Sequence, residues 1–261
     1  MTTQGPIEAL PVWERVWRHV PSEDKDHARL RREEQSTRWT VIRDALQEAF
    51  GGMEGIHTIE LGAGRGDLSL LLARHGAQVT LLDLSQTALS QASERFAREG
   101  LSAECVRTDL SAAGQLAGTF DVSLSLGVIE HFRGPDRLRA VQAHADVLRP
   151  GGLAIISVPH AACLPYRLWK AYLELRGWWP YGVERPYFRR ELARLARSAG
   201  LVDIRLVGTA FLQSLGDHVC KTFLHRRPAW TDRPCPLDNA MGLNLLLLAR
   251  KGSPNPRSKH L

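Results

Sequence analysis

The sequence has few cysteines, and none of them form the close pairs that metal centres use. The four, Cys105, Cys163, Cys220 and Cys235, include no CxxC pair, which argues against a zinc or redox motif and is typical of reduced thiols in a cytosol. Residues 1–10 lack the basic start and apolar core of a secretory signal. No apolar run is long enough to span a bilayer. These absences predict a cytoplasmic protein without a metal site.

The charge balance leaves the partner open. A net charge of +6 and a pI of about 9.4 permit attraction to nucleic acid or anionic lipid but specify neither. We find no appended nucleic-acid-binding segment, so no specific nucleic-acid partner is expected. Nothing in the composition decides the oligomeric state.

Short apolar runs alternate with segments of helical periodicity. Strands are expected near 56–61, 78–83, 103–107, 120–126, 152–158, 202–208 and 243–251, and helices near 33–50, 66–75, 85–99, 135–148 and 187–199. Residues 1–32 are polar and irregular, apart from a short helix carrying Trp13 and Trp17. The alternation predicts an α/β fold with a parallel sheet covered on both faces.

The most informative stretch is IELGAGRG, from Ile59 to Gly66. An apolar strand breaks into three alternate glycines, and a helix-like segment follows at once. Glycine at such a turn lets a ligand approach the backbone closely. The next strand ends in Asp83, where a carboxylate is placed to accept hydrogen bonds from ribose hydroxyls. Together these features predict a site for an adenosine-containing ligand.

The pattern ExGxGxG, from Glu60 through Gly66, resembles motif I of the class I S-adenosylmethionine-dependent methyltransferases. Three further segments resemble that family in the right order: Thr108 and Asp109 after AECV, FDVSLSLGVIEHF from Phe120, and LRPGGLAIISVP from Leu148. The resemblance implies a Rossmann-like, mostly parallel sheet of seven strands with the last strand antiparallel. It also implies S-adenosyl-L-methionine as cofactor, with the glycine loop around its amino acid end.

Ten residues are implied as the cofactor site by this resemblance. Asp83 matches the acidic residue that binds the ribose, Asp109 lies near the adenine, and Leu126 contributes backbone atoms. The full set is Glu60, Gly62, Ala63, Gly64, Gly66, Asp83, Leu84, Asp109, Leu110 and Leu126. Alternatives stay open for the carboxylates, since Asp83 or Asp109 could instead cap the helix that follows it.

Glu130 and His131, in GVIEHF after the fourth strand, are the candidate catalytic residues. They fall at the carboxyl edge of the sheet, where open α/β folds bind ligands. A hydroxyl or amine acceptor must lose a proton, and histidine has the pKa range of a base. The alternatives are a loop-shaping histidine and a loop-capping glutamate. His160 and Tyr166 are weaker candidates.

Two segments depart from the minimal pattern and are expected to be lid insertions, at about 160–188 and 209–241 of a domain spanning 51–252. The first is aromatic and basic, with Leu168, Tyr172 and Leu175 on one helical face. It is expected to be a lid over the substrate, a peripheral membrane contact, or both, and it resembles the insertion of ubiquinone-biosynthesis-type O-methyltransferases. Residues 1–50 are expected to form a helical cap, and 253–261 a disordered tail.

Three function classes follow. The first is a methyltransferase for a small, hydrophobic acceptor such as a lipid, quinone precursor or natural-product intermediate, with O-methylation favoured. The second is an RNA or protein methyltransferase. The third is a non-catalytic protein that only binds the cofactor.

Overall fold

A computed structural model describes residues 6–18 and 23–253. Three helices precede the sheet: α1 (Pro6–Trp17), α2 (Glu23–Glu34) and α3 (Thr37–Phe50). The predicted short helix carrying Trp13 and Trp17 is α1, whereas the prediction that the rest of residues 1–32 is irregular is wrong over α2. The predicted helix at 33–50 ends where expected but begins later, because Ser36 caps α3 by accepting from the Trp39 N–H at 3.0 Å.

Strands and helices then alternate as predicted. Their bounds are β1 (His57–Leu61), α4 (Asp67–Arg74), β2 (Gln78–Asp83), α5 (Gln86–Arg98), β3 (Glu104–Arg107), β4 (Phe120–Leu126), α6 (Asp136–Val147), β5 (Leu148–Pro159), α7 (Leu164–Leu175), α8 (Arg189–Ser198), β6 (Leu201–Thr209) and β7 (Asn244–Lys251). Short helical segments lie at Leu110–Leu116 and Ile129–His131, and five more lie between β6 and β7.

The seven strands form one sheet in the order β3-β2-β1-β4-β5-β7-β6. The first five strands pair in parallel, and β7 runs antiparallel between β5 and β6. The predicted Rossmann-like fold with an antiparallel last strand is confirmed. Because β1 to β4 all end at the same edge, the loops after them meet there.

Helices cover both faces of this sheet, as predicted. Side chains of successive strand residues point to opposite faces, so Leu81 joins the core under α3, α4 and α5, while Leu82 joins the core under α6 and α8. The same alternation separates Ile155 from Ile156. Burial on both faces explains why these strands read as continuous apolar runs.

The two predicted insertions are helical, with α7 in the first and short helices at Phe211–Leu224 in the second. Of the predicted tail 253–261, residues 254–261 lie outside the described residues, as do 1–5 and 19–22 of the predicted cap. Within the described part of the chain, no helix has the length and apolar character needed to cross a membrane.

Candidate active site

The glycine loop after β1 is held against the end of β2. The N–H groups of Gly62 and Ala63 both donate to the Leu82 carbonyl, at 2.8 and 2.9 Å. Gly64 adopts φ +54°, and a Cβ there would lie 2.7 Å from the Trp17 ring. Only glycine fits this position, because a side chain would be strained and would displace the tryptophan.

Asp83 anchors this loop. Its Oδ2 accepts from the Gly64 N–H and its Oδ1 from the Ser85 N–H, both at 2.8 Å. Burial raises the pKa of the Asp83 carboxyl, and these backbone donors oppose the rise. Ser85, not Asp83, caps α5. Each carboxylate oxygen retains acceptor capacity, so Asp83 can hold the loop and still accept from a ligand.

Two further predicted carboxyls lie in the same region. Asp109 caps the short helix Leu110–Leu116, as the alternative reading allowed, with Oδ1 accepting from Ser111; its buried Oδ2 has no partner. The orphaned oxygen fits a ligand donor such as an exocyclic amine. Burial raises the pKa of Glu60 to about 8, and the Ser69 hydroxyl donates to its Oε2 at 2.5 Å.

A single cavity of about 390 Å³ brings the predicted residues together. All ten candidate cofactor residues and both candidate catalytic residues line it. The cavity also contains groups that the sequence analysis did not identify, namely Arg29, Arg65, Tyr181 and Glu184. An adenosine ligand fits the chemistry present, with carboxylates at the ends of β2 and β3 and a close backbone approach between them.

His131 lies beyond β4, and one of its ring nitrogens already has a hydrogen-bond partner. Its Nδ1 is 2.6 Å from the Val183 carbonyl oxygen, which can only accept, so Nδ1 carries the proton. Burial lowers the pKa of His131 from its usual 6.5, and the ring is therefore neutral at pH 7. A backbone hydrogen bond with Gly127 also acts on the ring and, like that with Val183, opposes the lowering. With Nδ1 protonated, Nε2 is the nitrogen that carries the lone pair, as a general base requires.

Glu130 is buried next to His131. Burial raises its pKa well above the usual value, and the nearby Glu184 adds to the rise. Its Oε2 has no hydrogen-bond partner. The neutral acid form is favoured, and in that form the carboxyl can donate a hydrogen bond to a ligand.

The first insertion completes this end of the cavity. Glu184 accepts a hydrogen bond from the Tyr166 hydroxyl, and the Arg185 N–H donates to the Glu130 carbonyl at 2.9 Å. Sequence reasoning missed Glu184 because no local pattern distinguishes it. His160 is buried but does not line the cavity.

Glu130, His131 and Glu184 each offer a ligand atom, and these atoms lie within 4.8 Å of one another. The spacing would allow a cation. The sequence predicted no metal site, and that stays a prediction.

α1 covers the cavity. The Trp13 ring meets the His131 ring edge-on at 4.8 Å and lies 6.4 Å from Tyr181. The Thr87 hydroxyl donates to Glu14 and the Gln91 amide donates to the Trp17 carbonyl, both at 2.6 Å, which fastens α1 to α5. The four-residue spacing of the two tryptophans was the available sequence signal, but it did not show what they cover.

Comparison with known proteins gives a consistent result. Residues 59–152 match the family model described as a methyltransferase domain. The chain is 32% identical over 172 residues to the ubiquinone biosynthesis O-methyltransferase of Idiomarina loihiensis, covering 64% of this chain and 70% of that protein. It is 30% identical to the protein of the same name from Methylobacterium nodulans, over 67% and 74% of the two chains.

Among solved structures, the fold is similar to magnesium protoporphyrin IX methyltransferase from Synechocystis, crystallised with bound S-adenosylhomocysteine (SAH). The TM-score is 0.58 at 20% identity, over 93% of this chain and 94% of that one. At this identity the likeness shows the fold.

Proposed function

Because the chain belongs to the S-adenosylmethionine-dependent methyltransferases, we propose that it methylates a hydroxyl of a small hydrophobic acceptor, with His131 as the general base. The observation that carries this proposal is the Nδ1 hydrogen bond to Val183, which leaves Nε2 as the basic nitrogen inside the cavity. S-adenosylmethionine is the cofactor and supplies an electrophilic methyl group.

The protein's own contribution is alignment, proton removal and exclusion of water. His131 takes the hydroxyl proton at Nε2. Glu130, with its unpartnered Oε2, orients the acceptor by a hydrogen bond. Trp13 and Tyr181 close the same end of the cavity against solvent. The cofactor roles of Gly62, Gly64, Asp83 and Asp109 are supported by their places along this one cavity.

The acceptor class is inferred from the walls and from the relatives. Trp13, Tyr181, Val128 and Phe132 line the same cavity as His131 and give it apolar surface. The relatives are named for ubiquinone biosynthesis. A hydroxylated aromatic quinone precursor meets both conditions, because its ring is apolar and its hydroxyl is acidic enough for an imidazole base.

An acceptor panel tests this assignment. The panel contains a hydroxylated aromatic with an apolar side chain, the matching aromatic amine, and mixed RNA, and SAH release is measured for each. We expect turnover with the hydroxylated aromatic alone. Turnover restricted to RNA, or cofactor binding without turnover on any acceptor, would contradict the proposal and favour the alternative classes.

We also infer that the outer face of the two insertions contacts a membrane. We call this face the apolar patch: Leu168, Leu175, Trp178, Phe223 and Leu224, exposed by 70, 89, 57, 57 and 59%. Tyr172 joins its two halves, with its ring 5.7 Å from that of Phe223. Arg176 lies over the Trp178 ring. Basic and aromatic side chains thus lie side by side, as they do at lipid interfaces.

The patch predicts binding to anionic vesicles. Native protein is expected to float with phosphatidylglycerol liposomes, and Leu175→Ala/Trp178→Ala to float far less, because burial of these side chains in lipid is lost. Val202→Ala is the matched control, since Val202 is also exposed but lies on β6. Equal flotation of native and double-variant protein would remove the membrane contact. A cytoplasmic location stays a prediction.

A further inference from the structure

A small recess adjoins the main cavity at the end where His131 lies. Its volume is about 50 Å³, and it shares Trp13, His131, Arg133 and Tyr181 with the main cavity. Val183 is among the residues that close its other side. Since a cavity needs about 10 to 15 Å³ to hold one water, the recess has room for a group of a few heavy atoms. Among the described residues that line it, Arg133 alone is charged at pH 7, because His131 is neutral.

Arg133 differs from the other arginines of the main cavity in having no acidic partner. Arg29 pairs with Asp67 at 2.9 Å, and Arg65 pairs with Asp26 at 3.0 Å. Within the described part of the chain, the Arg133 guanidinium makes neither an ion pair nor a hydrogen bond. The side chain is exposed, so a ligand can reach it. Arginine stays charged at any physiological pH and offers five N–H donors.

The carboxyls at this end of the cavity do not offset the charge of Arg133. Asp136 lines the main cavity but is paired with Arg139 at 2.7 Å. Burial raises the pKa of both Glu130 and Glu184, which favours their neutral forms. One positive charge therefore remains without a counterion beside the proposed base. An anionic group on the ligand is its complement.

We propose that Arg133 binds a carboxylate of the acceptor in this recess, next to the hydroxyl that is methylated. The inference rests on the proposed function and assigns the acceptor a second polar group. His131 and Arg133 line the same two cavities, so a ring lying against Trp13 and Tyr181 presents its hydroxyl to one and its carboxylate to the other. A hydroxybenzoate with an apolar side chain has this arrangement. Arg133 is thus a specificity residue that selects acidic over neutral acceptors.

Acceptor binding to the SAH-saturated protein tests the role of Arg133. The probes are a hydroxybenzoate with an apolar side chain and its carboxamide, which has nearly the same shape but no charge. Calorimetry on native protein is expected to show the carboxylate binding about tenfold tighter, the range of a charge-assisted hydrogen bond. Arg133→Gln should remove that preference and leave the carboxamide within about threefold of native. Arg133→Lys should keep part of it, because lysine restores the charge without the planar fork.

Arg190→Gln is the matched control for the loss of one positive charge. Arg190 is exposed on α8 and does not line the cavity, so this variant should keep the native preference. Salt gives a second readout, since screening weakens an exposed ion pair. The affinity for the carboxylate should fall as the ionic strength rises, and the affinity for the carboxamide should stay level.

The outcomes separate this inference from the proposed function. The Arg133 assignment is wrong if native protein binds the two probes equally, or if Arg133→Gln keeps the preference or weakens both probes alike. Methylation of both probes would then still support the proposed function. A carboxylate preference that depends on Arg133, without methyl transfer to either probe, would support the anion site and overturn the proposed function. Binding of neither probe would overturn both.

Discussion

Replacing His131 by glutamine is expected to lower kcat about a hundredfold or more, within the range that general-base catalysis contributes. Glutamine can still donate a hydrogen bond to the Val183 carbonyl but cannot accept and hold a proton at neutral pH. Initial rates at saturating cofactor and acceptor measure the loss. SAH affinity should change little, because the substitution removes a group that acts on the acceptor.

The pH profile separates a base from a shaping residue. The active form of His131 is neutral, and burial lowers its pKa from the usual 6.5. The native rate should therefore stay level at and above pH 6.5 and fall only when the pH drops below the lowered pKa of His131. The glutamine variant should lose this acidic limb. His57→Gln, an exposed histidine at the opposite end of the sheet, is the control. Full activity of the His131 variant across the profile would exclude the base role.

Asp83→Ala is expected to weaken SAH binding about a hundredfold or more, since a carboxylate acceptor contributes about 1.5 to 3 kcal/mol per hydrogen bond. The substitution removes the ribose acceptor and also the partner of the Gly64 N–H at 2.8 Å. Loop order and ligand contact are thus lost together. Calorimetry with SAH measures the effect.

Asp83→Asn distinguishes these two losses. The amide oxygen can still accept from Gly64, so the loop is retained while one ligand acceptor is lost, and an intermediate affinity is expected. Asp44→Ala, an exposed carboxylate on α3, is the control. Thermal unfolding without ligand shows whether each variant is folded. Affinity of Asp83→Ala within about threefold of native would mean that this carboxylate does not hold the cofactor.

The sheet and the cofactor side were predictable because their signals are local. The apolar runs predicted the strands. Gly62, Gly64 and Gly66 all adopt positive φ, which few other residues tolerate. The loop after β1 and the ends of the neighbouring strands β2, β3 and β4 line that side of the cavity. The ten residues that the resemblance implies line one cavity, and their cofactor role stays a prediction.

The proposed acceptor side was less predictable because its parts come from distant segments. Glu184 lies close to Glu130 only because the loop after α7 folds back onto the end of β4. Trp13, on the N-terminal helix α1, contacts His131. α2 has a polar sequence, and its Asp26 pairs with Arg65 of the glycine loop while its Leu30 packs into the core. The hydrophobic periodicity of the sequence does not predict such contacts.

The placement of β7 has a consequence for biosynthesis. β7 is synthesised after the other six strands of the sheet, yet it pairs with both β5 and β6 in the interior. Until it emerges, β5 has an open edge and β6 has no neighbour, although β1 to β4 can already pair. Exposed strand edges invite association with other chains. A nascent chain that has reached only β6 therefore exposes strand edges that β7 later covers.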